Sequence, residues 1–216
     1  VVYPMNKGEK MPELELFEIK EEEMDLYEAI EKRRTIRNFK SGASEEQLRK
    51  IILAGTKAPS AVNRQPWEFI ILRDQEIIDQ LSEIKRQQTR KAPPRTAKGA
   101  DAVESIANAQ KESFRNASIV AVCNIVEWER SVWLCIENMS LAALAEGLGS
   151  GIVLYWGEGK KEAGRVLGLP EGYELTAILK IGKPGEEGYP REKNPYAPRR
   201  PEFSWLHIDR FHEAGT

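Results

Sequence analysis

Helix-like and strand-like stretches alternate along this chain, helices in the majority, and that alternation restricts its fold more than any other feature. It leaves an α+β or α/β sandwich around a sheet of about four or five strands. Asp25, with Glu28 at the third helical position, predicts a helix over 25–36 whose apolar stripe is Leu26, Ala29 and Ile30. Ser44 and Gln47 form a capping box for a second helix, carried by Leu48, Ile51 and Ile52 and ending near Gly55. Trp67–Leu72 is a short strand, and Asp74 opens a third helix running to Ile84. Residues 85–98, with Pro93 and Pro94, break the period and predict a loop before a helix over 100–116. A buried strand at 118–126 precedes a long apolar helix over 129–147, closed by Gly147. Strands at 152–156 and 175–181 flank a short helix at 162–167. No internal repeat of fixed period is visible.

The 216 residues suit one domain better than two large ones. At 41% apolar and 31% charged the composition is globular. A domain of this size buries roughly 70% of its unfolded surface, so it needs neither disulfide nor metal to hold together. Lys and Arg number 32 against 34 Asp and Glu, a net charge of −2, which disfavours a nucleic-acid binder held by overall basicity. Cys123 and Cys135 stand in apolar surroundings, without a C-x-x-C pair and with only His207 and His212 elsewhere. They predict reduced core thiols and no metal site. No apolar run approaches the roughly 18 residues of a membrane span, and no basic-then-apolar leader opens the chain, so the expectation is a cytoplasmic protein with no membrane partner. Residues 1–23 predict an irregular acidic arm, and 24–216 a single domain. The aperiodic, Pro- and Arg-rich stretch 183–216 predicts a tail lying on a partner subunit.

Four segments can carry chemistry. Arg33, Arg34, Thr35 and Arg37, flanked by Lys32 and Lys40, gather five cations. Helix-end capping accounts for part of this, but guanidinium forks also bind phosphate oxygens in pairs. Residues 58–67 hold Pro59, Ser60, Ala61, Asn63 and Gln65, either a plain helix-to-strand connection or a rigid loop offering hydroxyl and amide groups to a ligand. Gly147, Gly149 and Gly151 follow a helix and precede a strand, which is neither the phosphate-loop nor the dinucleotide-fold order. They allow tight helix-to-strand packing, or backbone close to a flat ligand. Residues 196–201 place Arg199 and Arg200 between prolines. A further six cations occupy 85–98. No Ser–His–Asp order, paired-carboxylate pattern or H-E-x-x-H occurs, and both histidines lie near the C-terminus. Histidine-based acid–base catalysis is therefore disfavoured, and if the protein is an enzyme a cofactor is expected to do the hard chemistry.

Taken together, these segments resemble the nitroreductase family of FMN-dependent oxidoreductases. Residues 33–39, R-R-T-I-R-N-F, are similar to its R-R-[ST]-x-R-x-F opening. Residues 58–69, A-P-S-A-V-N-R-Q-P-W-E-F, match its A-P-S-x-x-N-x-Q-P-W-x-F segment almost letter for letter. Gly147-Leu148-Gly149-Ser150 resembles its G-L-G-S turn, while 181–184 and 198–201 resemble its G-x-P and Arg-Pro elements. The resemblance implies an α+β three-layer fold, a central mostly antiparallel sheet flanked by helices, in an intertwined homodimer with FMN at the interface. It implies that Arg33, Arg34, Thr35 and Arg37 hold phosphate and ribityl, with Arg199 or Arg200 closing over the phosphate. Pro59, Ser60 and Ala61 of the other subunit would face the ring, Asn63 and Gln65 would add polar contacts, and Val153, Leu154 and Tyr155 would bring backbone to its N5 and pyrimidine edge. Residues 85–116 would cover the substrate.

On that basis the expected reaction has two steps: NADH or NADPH reduces FMN at N5, then a small electron-poor acceptor such as a nitroaromatic or quinone takes its place. No catalytic side chain is required; Arg37 is the candidate for steadying charge on the reduced ring. The alternatives are a reductive dehalogenase or other specialised flavin enzyme of the same fold, and a non-catalytic flavin-binding protein.

Overall fold

The computed structural model describes residues 24–94, 97–185 and 205–211. The acidic arm, 1–23, lies outside the described residues, as does most of the tail, including Arg199 and Arg200.

Asp25 caps α1 (Leu26–Lys32), its carboxylate accepting from the backbone N–H groups of Tyr27 and Glu28. The helix stops short of the expected 36. Arg33 leaves helical dihedrals at φ −54°, ψ 128°, and β-branched Thr35 and Ile36 are engaged elsewhere: Thr35 bridges Ser150, and the Ile36 N–H donates to the Ser150 carbonyl at 2.8 Å. β1 (Phe39–Gly42) follows; with only Phe39 buried it lacks the alternation that announces a strand. The capping box of α2 (Glu45–Thr56) forms, Ser44 and Gln47 satisfying each other's backbone N–H. After a 3-10 turn at Ala61–Asn63 come β2 (Trp67–Leu72), α3 (Gln75–Lys91), α4 (Ala100–Glu112), β3 (Ser118–Ile125), α5 (Glu129–Ala145), β4 (Gly149–Val153), α6 (Gly157–Val166) and β5 (Tyr173–Pro184).

Further boundaries differ from the sequence expectation, among them the start of α6, which opens at Gly157 and not at 162. α3 continues through Lys91, where a loop was expected, because its cations are neutralised in place: Arg86 pairs with Glu83 and Glu104, Arg90 with Glu104, and Lys111 of α4 with Glu83. β4 starts at Gly149 and ends at Val153, not over 152–156, since its first residues are drawn into the sheet by β5. β5 runs to Pro184, so Lys183 and Pro184 belong to the sheet and not to the tail.

Every pairing between named strands is antiparallel, in the order β1-β5-β3-β2 with β4 also on β5. The alternation along β3 divides the core. Val120 and Val122 pack with Leu48 and Ile51 of α2 and with Val132, Ile136 and Met139 of α5. Ile119, Ala121 and Cys123 pack with Leu81 and Ile84 of α3 and Ala163 of α6. The result is the expected three-layer α+β sandwich. A bulge opposite the Val122–Cys123 step leaves Thr176 as the extra residue. Its hydroxyl donates to Asn124 Oδ1 at 2.7 Å, and among the described residues no buried side-chain polar atom is left unpaired. Cys123 and Cys135 are buried and free, and burial pushes both thiols up to about 12. No helix among the described residues is long and apolar enough to cross a membrane.

Candidate functional site

The cation-rich segment 33–37 is held as an extended strap against β4. Besides the Ile36–Ser150 bond, the strap depends on two glycines. A Cβ on Gly149 would stand 2.4 Å from Ile36 Cγ1, and one on Gly151 only 2.2 Å from the Ile36 carbonyl oxygen. The glycines thus serve close packing of chain on chain, the simpler of the two roles their sequence allowed. With Ile36 buried, Arg33 and Arg34 are half-buried while Thr35 and Arg37 are exposed. Arg33 Nε lies 3.5 Å from Glu137 of α5. Arg34 folds back, donating to the carbonyls of Glu31 and Arg33 at 2.5 and 2.6 Å.

The strap brings these residues beside the end of β4, so 33–37 and 153–155 share one edge of the sheet. Val153 and Tyr155 are core residues, and the Tyr155 hydroxyl donates to the Leu81 carbonyl at 2.8 Å. Their side chains point away from any ligand on that edge, which leaves only backbone to offer. Leu154 faces outward, 42% exposed. Lys85 of α3, itself buried, donates to the Leu154 carbonyl at 3.0 Å and lies 4.4 Å from the Trp156 ring centroid. With its amide oxygen turned to Trp156, Gln88 accepts from that residue's backbone N and indole Nε1 at 2.9 and 3.1 Å.

Beneath the strap lies Lys180 of β5, 3% exposed. Its Nζ donates to Ser113 Oγ at 2.7 Å and sits 5.8 and 5.7 Å from the rings of Phe39 and Phe114. Burial, reinforced by the charges of Arg37 and Lys85, pushes its amine down to about 7; burial brings Lys85 down to about 8. Neither lysine was singled out from the sequence. The available signal was a lysine inside the otherwise apolar run of β5, and a lysine on the inward face of α3.

The other predicted segment stands elsewhere. Residues 59–65 form an outward loop tied by Ser60 Oγ, which accepts from the Gln65 N–H at 2.9 Å. Val62, Asn63 and Gln65 all have positive φ, 49°, 53° and 49°, which makes the loop a defined shape and not a slack connection. It leads into Trp67, which pairs with Asn124 and through it with Glu174 of β5, whereas the strap's partner Ser150 pairs with Ile181. Positions 174 and 181 are seven residues apart, roughly 23 Å along the strand. Within one chain the strap and the loop are therefore not brought together. The groove of about 680 Å³ between α3 and α6 is lined by Glu76, Asp79, Glu83 and Glu162 and is too acidic to attract an anion.

Comparison with known proteins agrees with the fold. The Nitroreductase family model matches residues 30–183. The chain is 30% identical over 190 residues to a Thermus thermophilus protein named NADH dehydrogenase, covering 80% of this chain and 93% of that one. It is 28% identical over 183 residues to a Thermotoga neapolitana iodotyrosine deiodinase, covering 81% and 93%. Among solved structures, an iodotyrosine deiodinase bound to FMN and 3-iodo-L-tyrosine superposes with a TM-score of 0.65 at 24% identity, over 87% of this chain and 99% of that one.

Proposed function

The chain belongs to the nitroreductase family of flavoenzymes, and from that premise we propose that it transfers hydride from NADH or NADPH, through FMN, to a small electron-poor acceptor such as a nitroaromatic or quinone. The observation that carries the proposal is the strap: Arg33, Arg34 and Arg37 held at one sheet edge beside exposed backbone. These residues fit the cofactor. Its phosphate carries close to two negative charges, which several guanidinium groups and the Thr35 hydroxyl can bind. On this reading Arg37 would steady negative charge on the ring, Leu154 and its neighbours would offer backbone to the ring's edge, and Arg199 or Arg200, outside the described residues, would close on the phosphate. Bound FMN would supply hydride acceptance and donation at N5, so no side-chain acid is needed.

One ligand touching both the strap and the 59–65 loop needs two copies of the chain, because a separation of roughly 23 Å exceeds what one ring system spans. A homodimer in which Pro59, Ser60, Ala61, Asn63 and Gln65 reach the partner's strap meets that need. It would also cover Tyr27 and Val62, 80% and 90% exposed in a single chain. In this arrangement 24–216 is one domain, 85–116 covers the acceptor, and the tail lies across the partner.

The test is direct. Purified protein, reconstituted with FMN if needed, should show flavin absorption bands that bleach within seconds under anaerobic NADH or NADPH and return on adding a quinone. Flavin that stays oxidised with both nicotinamides would identify a binding protein without turnover; protein that takes up no FMN would remove the cofactor reading. Reductive dehalogenation is the second reading, favoured by the Thermotoga relative. Iodide release from 3-iodotyrosine by the reduced protein supports it, and reoxidation by quinone alone removes it.

A further inference from the structure

Lys85 and Lys180 are buried cations that the proposed chemistry does not use, and Lys180 is the more deeply buried. Its side chain runs beneath the glycine strand: Gly151 is its partner in the β4–β5 register, and a Cβ there would lie 3.3 Å from Lys180 Cε. That places the amine directly behind the strap that carries Arg37. An ammonium has three protons to donate. Here one acceptor, Ser113 Oγ, receives one of them, and the Ser113 hydroxyl proton is already committed to the Gln110 carbonyl at 2.6 Å. The rings of Phe39 and Phe114 also lie beside it. The charged groups that act on it are Arg37 from the strap and Lys85 from α3, both positive. Among the described residues no carboxylate pairs with it. A lysine so placed stands poised between its charged and neutral forms, and a negative charge arriving near Arg37 tips it to the charged one.

We infer that Lys180 is a positioning residue for the flavin's electrons, gaining a proton when the ring on the other side of the strap is reduced. The inference rests on FMN occupying the strap. The step balances as follows. Two electrons and one proton reach the flavin, as a hydride from the nicotinamide or from a chemical reductant plus solvent. The resulting negative charge offsets the field of Arg37, and one further proton moves from solvent to the neutral Lys180 amine. Below about pH 7 Lys180 is already charged and takes none; above it, Lys180 takes one. Proton uptake per two electrons therefore rises from one to two as pH rises through neutrality. A proton taken by the flavin ring itself gives the opposite trend, since the ring is protonated at low pH.

The experiment is anaerobic photoreduction of the FMN-loaded protein in weak buffer with a pH indicator, at pH 6 and pH 8.5, alongside Lys180→Met with its flavin content matched. The expected counts are one and then nearly two protons for the wild type, and one at both pH values for the variant. A wild-type count that is flat or falls with pH overturns the inference without any variant, so it stays testable even should K180M fold poorly. A variant that follows the wild-type rise overturns it too. Protein that binds no FMN overturns the cofactor reading and this inference with it, a failure told apart by the absent flavin spectrum.

Discussion

Lys180→Met should make the flavin-free protein more stable at acid pH and confer no advantage at alkaline pH. The amine is lowered from 10.5 to about 7, chiefly by burial. Holding it charged in the folded state thus opposes folding by up to ~5 kcal/mol, at 1.36 kcal/mol per unit. Methionine removes that penalty and fills similar volume, but forfeits the bond to Ser113, worth about 1–2 kcal/mol. The net gain at pH 6 is therefore up to about 3–4 kcal/mol. The sign over pH follows from linkage. Below about 7 both folded and unfolded wild-type chains carry the proton, so the penalty is complete. Between about 7 and 10.5 the unfolded chain binds more protons, so wild-type stability climbs relative to the variant by roughly 1.4 kcal/mol per pH unit. By pH 9 most of the variant's advantage should be gone. Urea denaturation of both proteins at pH 6, 7, 8 and 9, at equal chain concentration, measures this. Parallel curves across that range, or a variant weaker than wild type at pH 6, would refute the claim that Lys180 is an unpaired buried cation.

Four further outcomes are expected. Gly151→Ala should destabilise by about 2–4 kcal/mol, since the new methyl meets the Ile36 carbonyl oxygen at 2.2 Å and backbone must move. Gly164→Ala, in helix α6 with nothing nearer than Leu169 Cδ1 at 3.8 Å, should instead raise the melting temperature slightly, by about 0.5–1 kcal/mol of stability. Glu83 is held down at about 2 by hydrogen bonds from Arg86 and Lys111. Its contribution is present above 4.5 and lost as pH falls toward 2, so Glu83→Gln should lower stability at pH 7 by about 1–2 kcal/mol after screening and flatten the acid limb of the unfolding curve. Arg37→Ala should weaken FMN binding about 10- to 100-fold by fluorescence titration, the worth of one charge-assisted hydrogen bond; unchanged affinity would place the cofactor elsewhere.

Much of this architecture could be read from local chemistry. The capping residues Asp25, Ser44 and Asp74 all open helices as expected, because an N-cap depends on backbone groups two or three residues away. The apolar run of β3 is buried on both faces for the same kind of local reason. The boundaries that moved are those decided by distant partners. α1 stops early because Ser150 claims Ile36, and α3 runs on because Glu104 of α4 neutralises Arg86 and Arg90. β1 was invisible because three of its four residues face solvent and only pairing with β5 makes it a strand.

The site divides along the same line. Residue types suited to a phosphate and a flat ring are written in the chain as 33–37 and 58–69, for a motif is a statement about chemistry at short range. Which of those groups share a sheet edge, and that the strap and the 59–65 loop stand roughly 23 Å apart along β5, is set by strand register, and register is a contact between segments some tens of residues apart in sequence. The state of Lys180 belongs wholly to the tertiary structure: nothing beside it in sequence removes water from its amine, while Phe39, Phe114 and the strap together do.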